Sequence, residues 1–172
     1  MNILNRIRSK KTITRSEIFK KIFSQPEHSW INENKYIQAN IEDFLSSIKT
    51  QDLNTLFIEK KVLLLPSNAY MACAISTHHS HLIIIFPKLM HLLKGTIGHH
   101  SFPILAHELG HIFHSHGMKE ITPLEAQVEA DQFACEIGYA EGLENIILDM
   151  HECVEKRVRL SYITRWRITN EL

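Results

Sequence analysis

The stretch FPILAHELGHIFHSHG, residues 102–117, makes two demands that few folds can meet together. Ile104, Leu105, Leu109, Ile112 and Phe113 recur at helical spacing and call for burial. The same stretch carries His107, Glu108, His111, His114 and His116, which an apolar core rejects unless each finds a partner. Any fold of this chain must therefore bury one face of the helix and give the other a polar site. Pro103 suits a first helical turn and Gly117 a helix end, so the predicted helix runs from about Phe102 to His116.

Within it, His107-Glu108-Leu109-Gly110-His111 has the pattern H-E-x-x-H. Four residues advance an α-helix by about 400°, which sets His107 and His111 one above the other on one face. Two neutral imidazoles so placed can share one Zn²⁺. Glu108, beside the first histidine, is the candidate general base, taking a proton from the attacking water and passing it to a leaving amine. His116, at the predicted helix end, reads as a supporting residue. His78, His79, His81, His99 and His100 fall in turns or loops and read as solvated.

Periodicity organises the rest. Residues 12–23 fit a helix with Ser16 as its cap, and residues 32–49 a second helix with Ile37, Ile41, Phe44, Leu45 and Ile48 on one stripe. KKVLLLPSNAYMACAIS reads as strand, turn, strand, with Pro66, Ser67 and Asn68 in the turn. HLIIIFP is a third strand, and KLMHLLKG a helix closed by Gly95. TPLEAQVEADQFACEIGYAEG is a helix capped by Thr122, with Pro123 in its first turn and Gly142 just past its end. Residues 143–168 are mostly helical. Helices, about three short strands, then helices again predict an α+β class. The whole is expected to be one domain, with an N-terminal helical part (1–50), a core (56–142) and a C-terminal helical part (143–172).

Nineteen basic and nineteen acidic side chains in 172 residues give no bulk attraction to nucleic acid or to an anionic membrane. Basic residues do gather in positions 1–21, where a solvated helix or arm is the simplest reading. Three cysteines without motif spacing favour a reducing compartment and hence a cytoplasmic location. No apolar h-region follows the first charges, so no signal peptide is expected. The longest apolar runs, Val62–Pro66 and Leu82–Pro87, fall far short of the ~20 residues that span a bilayer.

Four stretches in order, NAYMACAI, LIIIFPKLMHLL, FPILAHELGHIFHSHG and EAQVEADQFACEIG, resemble the HtpX-like and CAAX-prenyl-protease group of zinc metallopeptidases, which are gluzincins. The resemblance covers roughly residues 60–142. It implies a helix-rich, zincin-like domain with a small twisted sheet packed on the active-site helix. It also implies an edge strand that takes peptide in extended form, and Asn68, Ala69 and Tyr70 fall on the matching stretch. The family's third zinc ligand is a glutamate on the downstream helix. An aspartate four residues later supports a histidine, and Asp131 matches it.

The chain departs from that pattern at the ligand itself. Four residues before Asp131 stands Gln127, not glutamate. Helix geometry favours Gln127 as the residue facing the metal, whereas charge favours Glu129, since a neutral amide is a poor zinc ligand. Glu129 is taken as the third ligand, with Asp131, or no acidic ligand at all, left open. A His-Pro-bearing C-terminal segment of the family kind is not found. Arg157, Arg159, Arg165 and Arg167 read as surface charge, and Val154, Val158, Leu160, Ile163 and Trp166 as packing on the core. Nor is there a transmembrane segment, although many members of the family are membrane-embedded.

The expectation is a soluble zinc-dependent metalloendopeptidase acting on a peptide or protein. Two alternatives stand beside it: a regulatory, antirepressor-type metalloprotease, and a catalytically weak metal- or peptide-binding scaffold, for which Gln127 is the motive.

Overall fold

A computed structural model describes residues 13–67, 72–76, 80–95 and 98–170. The first helix, α1 (Arg15–Phe23), starts at Thr14 and not at Ser16. Glu17 decides this, because its carboxylate returns a bond to the Thr14 backbone N–H and closes a reciprocal capping box. A short α2 (Ser29–Asn32) precedes α3 (Lys35–Ser47), which Asn34 caps. Ile37, Ile41, Phe44 and Leu45 form its buried stripe. Past Ile48, α4 (Thr50–Leu53) runs on into a π-helical turn, Asn54–Glu59. That wide turn seats both Leu56 and Phe57 in the core, a continuation the apolar spacing alone does not suggest.

Three strands follow: β1 (Val62–Pro66), β2 (Ala72–Ser76) and β3 (His81–Ile85). Their order is β1-β3-β2, with β1 parallel and β2 antiparallel to the central β3. Leu64 lies opposite Ile83, and Val62, Leu64, Ile83 and Ile85 point into the core. The outer edge of β1 is closed by side chains. Leu64 N–H donates to His28 Nε2 at 2.9 Å, and Leu64 C=O accepts from Trp30 Nε1 at 3.1 Å. Backbone groups that would otherwise form an open edge are thus taken at the middle of the strand.

Among the described residues five α-helices follow: α5 (Pro87–Lys94), α6 (Phe102–Phe113), α7 (Pro123–Glu136), α8 (Ala140–Leu148) and α9 (Val154–Asn170). The architecture is helix-rich α+β, with β2 and β3 packed beside α6 and a single hydrophobic cluster running through helices and sheet. Thr122, Pro123 and Glu125 start α7 as their residue types predict. Its end comes earlier than expected, at Gly138 with φ 96°, where the Gly138 and Tyr139 N–H groups return to Cys135 and Ala134. Gly142 is inside α8, where an added Cβ would meet Pro103 Cγ at 2.6 Å.

The C-terminal helix presents a different face from the one its valines suggest. Val154 is 69% exposed and Val158 also faces solvent, while the buried residues are Arg159 and Ile163. Leu160, Tyr162 and Trp166 pack at the margin of the core. Among the described residues, no helix is long and apolar enough to cross a membrane.

Candidate metal centre

Helix α6 brings its two motif histidines together as the four-residue spacing requires. His107 Nε2 and His111 Nε2 stand 3.1 Å apart. Two Zn–N bonds of about 2.0–2.1 Å meeting at a tetrahedral angle would hold their nitrogens about 3.3 Å apart. The pair therefore has the separation a shared metal needs.

The partners on the far side of each ring assign the tautomers. His107 Nδ1 donates to Asp131 Oδ1 at 2.7 Å, which leaves a lone pair on Nε2. His116 Nε2 donates to Glu129 Oε2 at 2.9 Å, so the Nδ1 of a neutral His116 is an acceptor. His111 Nδ1 lies 2.8 Å from it and supplies the proton, which bares His111 Nε2 as well. Burial first, then the neighbouring His107 and His116, pull the His111 pKa down to about 3, so its ring stays neutral. With all three rings neutral, the two Nε2 lone pairs face each other across 3.1 Å. In that state the two nitrogens repel each other unless a proton or a metal cation lies between them.

Asp131 is fully buried and is the centre of the support. Besides His107 it accepts a fork from Arg159, with Nε to Oδ2 at 2.7 Å and Nη2 to Oδ1 at 2.8 Å. Burial alone would raise its pKa, but the bonds from His107 and Arg159 outweigh that and keep it low. Arg159 was expected on the surface; it is only 7% exposed, and its remaining Nη1 reaches Glu155 at 3.1 Å. A signal for this was present in the chain. Arg159 lies one turn before Ile163 and one turn after Glu155, the only acidic residue in the first turn of α9.

Glu108 is half-buried, and desolvation pushes its carboxyl above the usual range, against the neighbouring His107 and Arg159 and a hydrogen bond from the Ala74 backbone. That bond ties the candidate base to β2. A carboxylate with its pKa moved toward neutrality, one residue from a metal-facing histidine, is suited to taking up and releasing a proton.

Helix α6 stops at Phe113, one turn before the expected end. Ser115 then takes a left-handed conformation, φ 60°, and a 3₁₀ turn at His116–Met118 swings His116 back onto His111. Lys60 secures the stop by donating to Ile112 O (2.5 Å), Phe113 O (2.8 Å) and Ser115 Oγ (2.6 Å).

The expected third ligand occupies another place. Glu129 engages His116 at 2.9 Å, with His114 at 3.9 Å and Lys119 at 4.0 Å, and so reaches His111 only through the His116 ring. Among the described residues, no group of three or more His, Cys, Asp or Glu side chains converges to hold a metal. Asp131, the other acidic candidate, turns to the Nδ1 side of His107 and not to the Nε2 side. Gln127 stands one helical turn before Asp131 on α7, as the spacing requires. Asn68, Ala69 and Tyr70, the expected peptide-binding positions, lie outside the described residues, as do His78 and His79.

The two histidines therefore have the spacing that a shared zinc ion would need, and among the described residues no third acidic, histidine or cysteine donor converges on them. No family model matches the chain, and neither a curated protein nor a solved structure does so.

Proposed function

We propose that this chain is a zinc-dependent metallopeptidase with a zincin-like core, hydrolysing a peptide bond in a peptide or protein substrate. The observation that carries the reading is the pair of Nε2 atoms 3.1 Å apart beside a half-buried Glu108. His107 and His111 would hold the metal. Bound zinc supplies Lewis-acid polarisation of a carbonyl and acidifies water at neutral pH. Glu108 takes the proton of the attacking water and delivers it to the leaving amine. Asp131 keeps the His107 proton on Nδ1, and His116 with Glu129 does the same for His111. Glu129 serves as a third ligand only by leaving His116. The three cysteines without motif spacing support a cytoplasmic setting.

Gln127 favours a second reading, a scaffold that keeps the fold and binds peptide with little or no turnover. One experiment separates the two. Purified wild type and E108Q are loaded with zinc, metal content is measured, and both are incubated with a fluorogenic peptide library. The peptidase reading expects about one zinc per chain in each, and cleavage by wild type alone. Equal cleavage by zinc-loaded E108Q overturns the assigned base. Zinc-loaded wild type without cleavage supports the scaffold.

A further inference from the structure

We infer that Arg159 is a positioning residue for His107, so that docking of the C-terminal helix and loading of the metal site are one coupled event. The inference rests on the metal-site reading above and concerns a residue outside the stretches that carry the family resemblance.

The geometry is specific. Asp131 Oδ1 sits between two donors, His107 Nδ1 at 2.7 Å and Arg159 Nη2 at 2.8 Å, while Oδ2 takes Arg159 Nε at 2.7 Å. A carboxylate with one histidine partner can rotate about its own axis. A planar guanidinium gripping both oxygens fixes the carboxylate plane, and with it the direction from which His107 Nδ1 is held. The His107 ring is then aimed through its opposite nitrogen at His111 Nε2. Lysine has no planar fork and cannot hold both oxygens in this way.

Arg159 belongs to α9, which packs against α7 and α8. Asp131 belongs to α7 and His107 to α6, so three helices meet through one carboxylate. By linkage, whatever strengthens α9 docking through this fork strengthens metal binding, and metal binding in turn holds α9 in place.

The test uses the full chain as wild type, R159M, R159K, D131N and R159M/D131N. Zinc affinity is measured by competition with a chromogenic chelator, and backbone amide exchange of α9 with and without zinc. R159M is expected to lower affinity about tenfold or more, as loss of a ligand's supporting partner typically does. R159K should recover only part of that loss. In the D131N background, R159M should add no further loss. Zinc should slow exchange around Arg159 in wild type but not in R159M.

Unchanged affinity in R159M, or the same loss with and without Asp131, overturns the inference. Should R159M not fold, R159K takes its place against wild type, and the double variant, free of a stranded buried charge, is compared with D131N. The metal-free protein gives a separate readout. Ring ¹⁵N–¹H spectra of His107 should show one proton on Nδ1 in wild type and lose that single pattern in R159M or R159K. A wild type that binds no zinc overturns the metal-site reading, and the His107 spectra then decide the role of Arg159 alone.

Discussion

Gly110 of α6 lies against Ala130 of α7 so closely that a Cβ on Gly110 would fall 2.7 Å from the Ala130 carbonyl oxygen and 2.8 Å from its Cα. The obstacle is backbone, so it cannot swing aside. Ala130 immediately precedes Asp131, so the close approach of the two helices here brings Asp131 within reach of His107.

Gly110→Ala is accordingly expected to destabilise the protein. Alanine's better helix propensity offers about 1 kcal/mol, while forcing the helices apart costs typically about 1–3 kcal/mol. The separation also lengthens the Asp131–His107 bond, so zinc affinity should fall more than stability does. Urea unfolding of the metal-free protein beside a zinc titration checks both, and a G110A protein as stable and as tight for zinc as wild type would contradict the packing argument.

Gln127→Glu is expected to tighten zinc binding. Gln127 stands one turn before Asp131, on the side of α7 that meets α6, and no third acidic or histidine ligand among the described residues joins His107 and His111. A carboxylate there adds a ligand of the kind zinc prefers. The readout is the rise in unfolding midpoint with zinc, since saturation at 100 times Kd adds about 2.7 kcal/mol to stability. Q127E should reach a given shift at lower free zinc than wild type, and no variant lacking His107 should show the shift at all.

Much of the site could be read before any coordinates because it is written in local spacing. His107 and His111 are four apart on one helix, Thr122 and Glu125 are three apart at a helix start, and Asp131 follows the motif on the next helix. What escaped reading depends on contacts between distant segments. The only local mark of Arg159's burial is its i±4 neighbours, Glu155 and Ile163, and two valines at i and i+4 suggested the wrong face, leaving α9 misphased between Val158 and Arg159. The placement of His116 depended on a left-handed serine at 115, a conformation that non-glycine residues seldom adopt. The closed edge of β1 needed two side chains some 35 positions away, His28 and Trp30, to find one leucine.

Lys60→Met is expected to cost about 1–3 kcal/mol, the penalty for stranding part-buried acceptors. The Lys60 ammonium spends its three protons on Ile112 O, Phe113 O and Ser115 Oγ, where the helix stops and the chain turns back. The stop is what directs His116 toward His111. Besides a lower urea midpoint, K60M should therefore disturb the imidazole resonances of His116 and His111 more than those of His28, whose ring bonds to Ile22 and Leu64 and not to the α6 stop. Equal perturbation of all three would mean a general loosening and not the loss of a local brace.

His28 gives the chain a pH dependence of known sign. Its Nδ1 donates to Ile22 O at 2.7 Å and its Nε2 accepts from Leu64 N–H at 2.9 Å, so the folded protein requires the neutral ring. Burial, partly offset by the bond to Ile22 and the nearby Glu27, lowers its pKa below the ordinary 6.5. The unfolded chain then binds more protons than the folded one as pH falls below about 6.5, and stability drops with it. The contribution is complete above that value and is lost on the acid side, down to the lowered folded pKa. His111, His81 and His114 shift in the same direction and add to the slope. His28→Phe isolates one share. It should cost about 1–3 kcal/mol at pH 7.5 by leaving the Leu64 N–H without its acceptor, and the loss of stability between pH 7.5 and 5 should be smaller in H28F than in wild type. Urea midpoints for both proteins across that range measure it, and parallel curves would show that His28 stays neutral without cost.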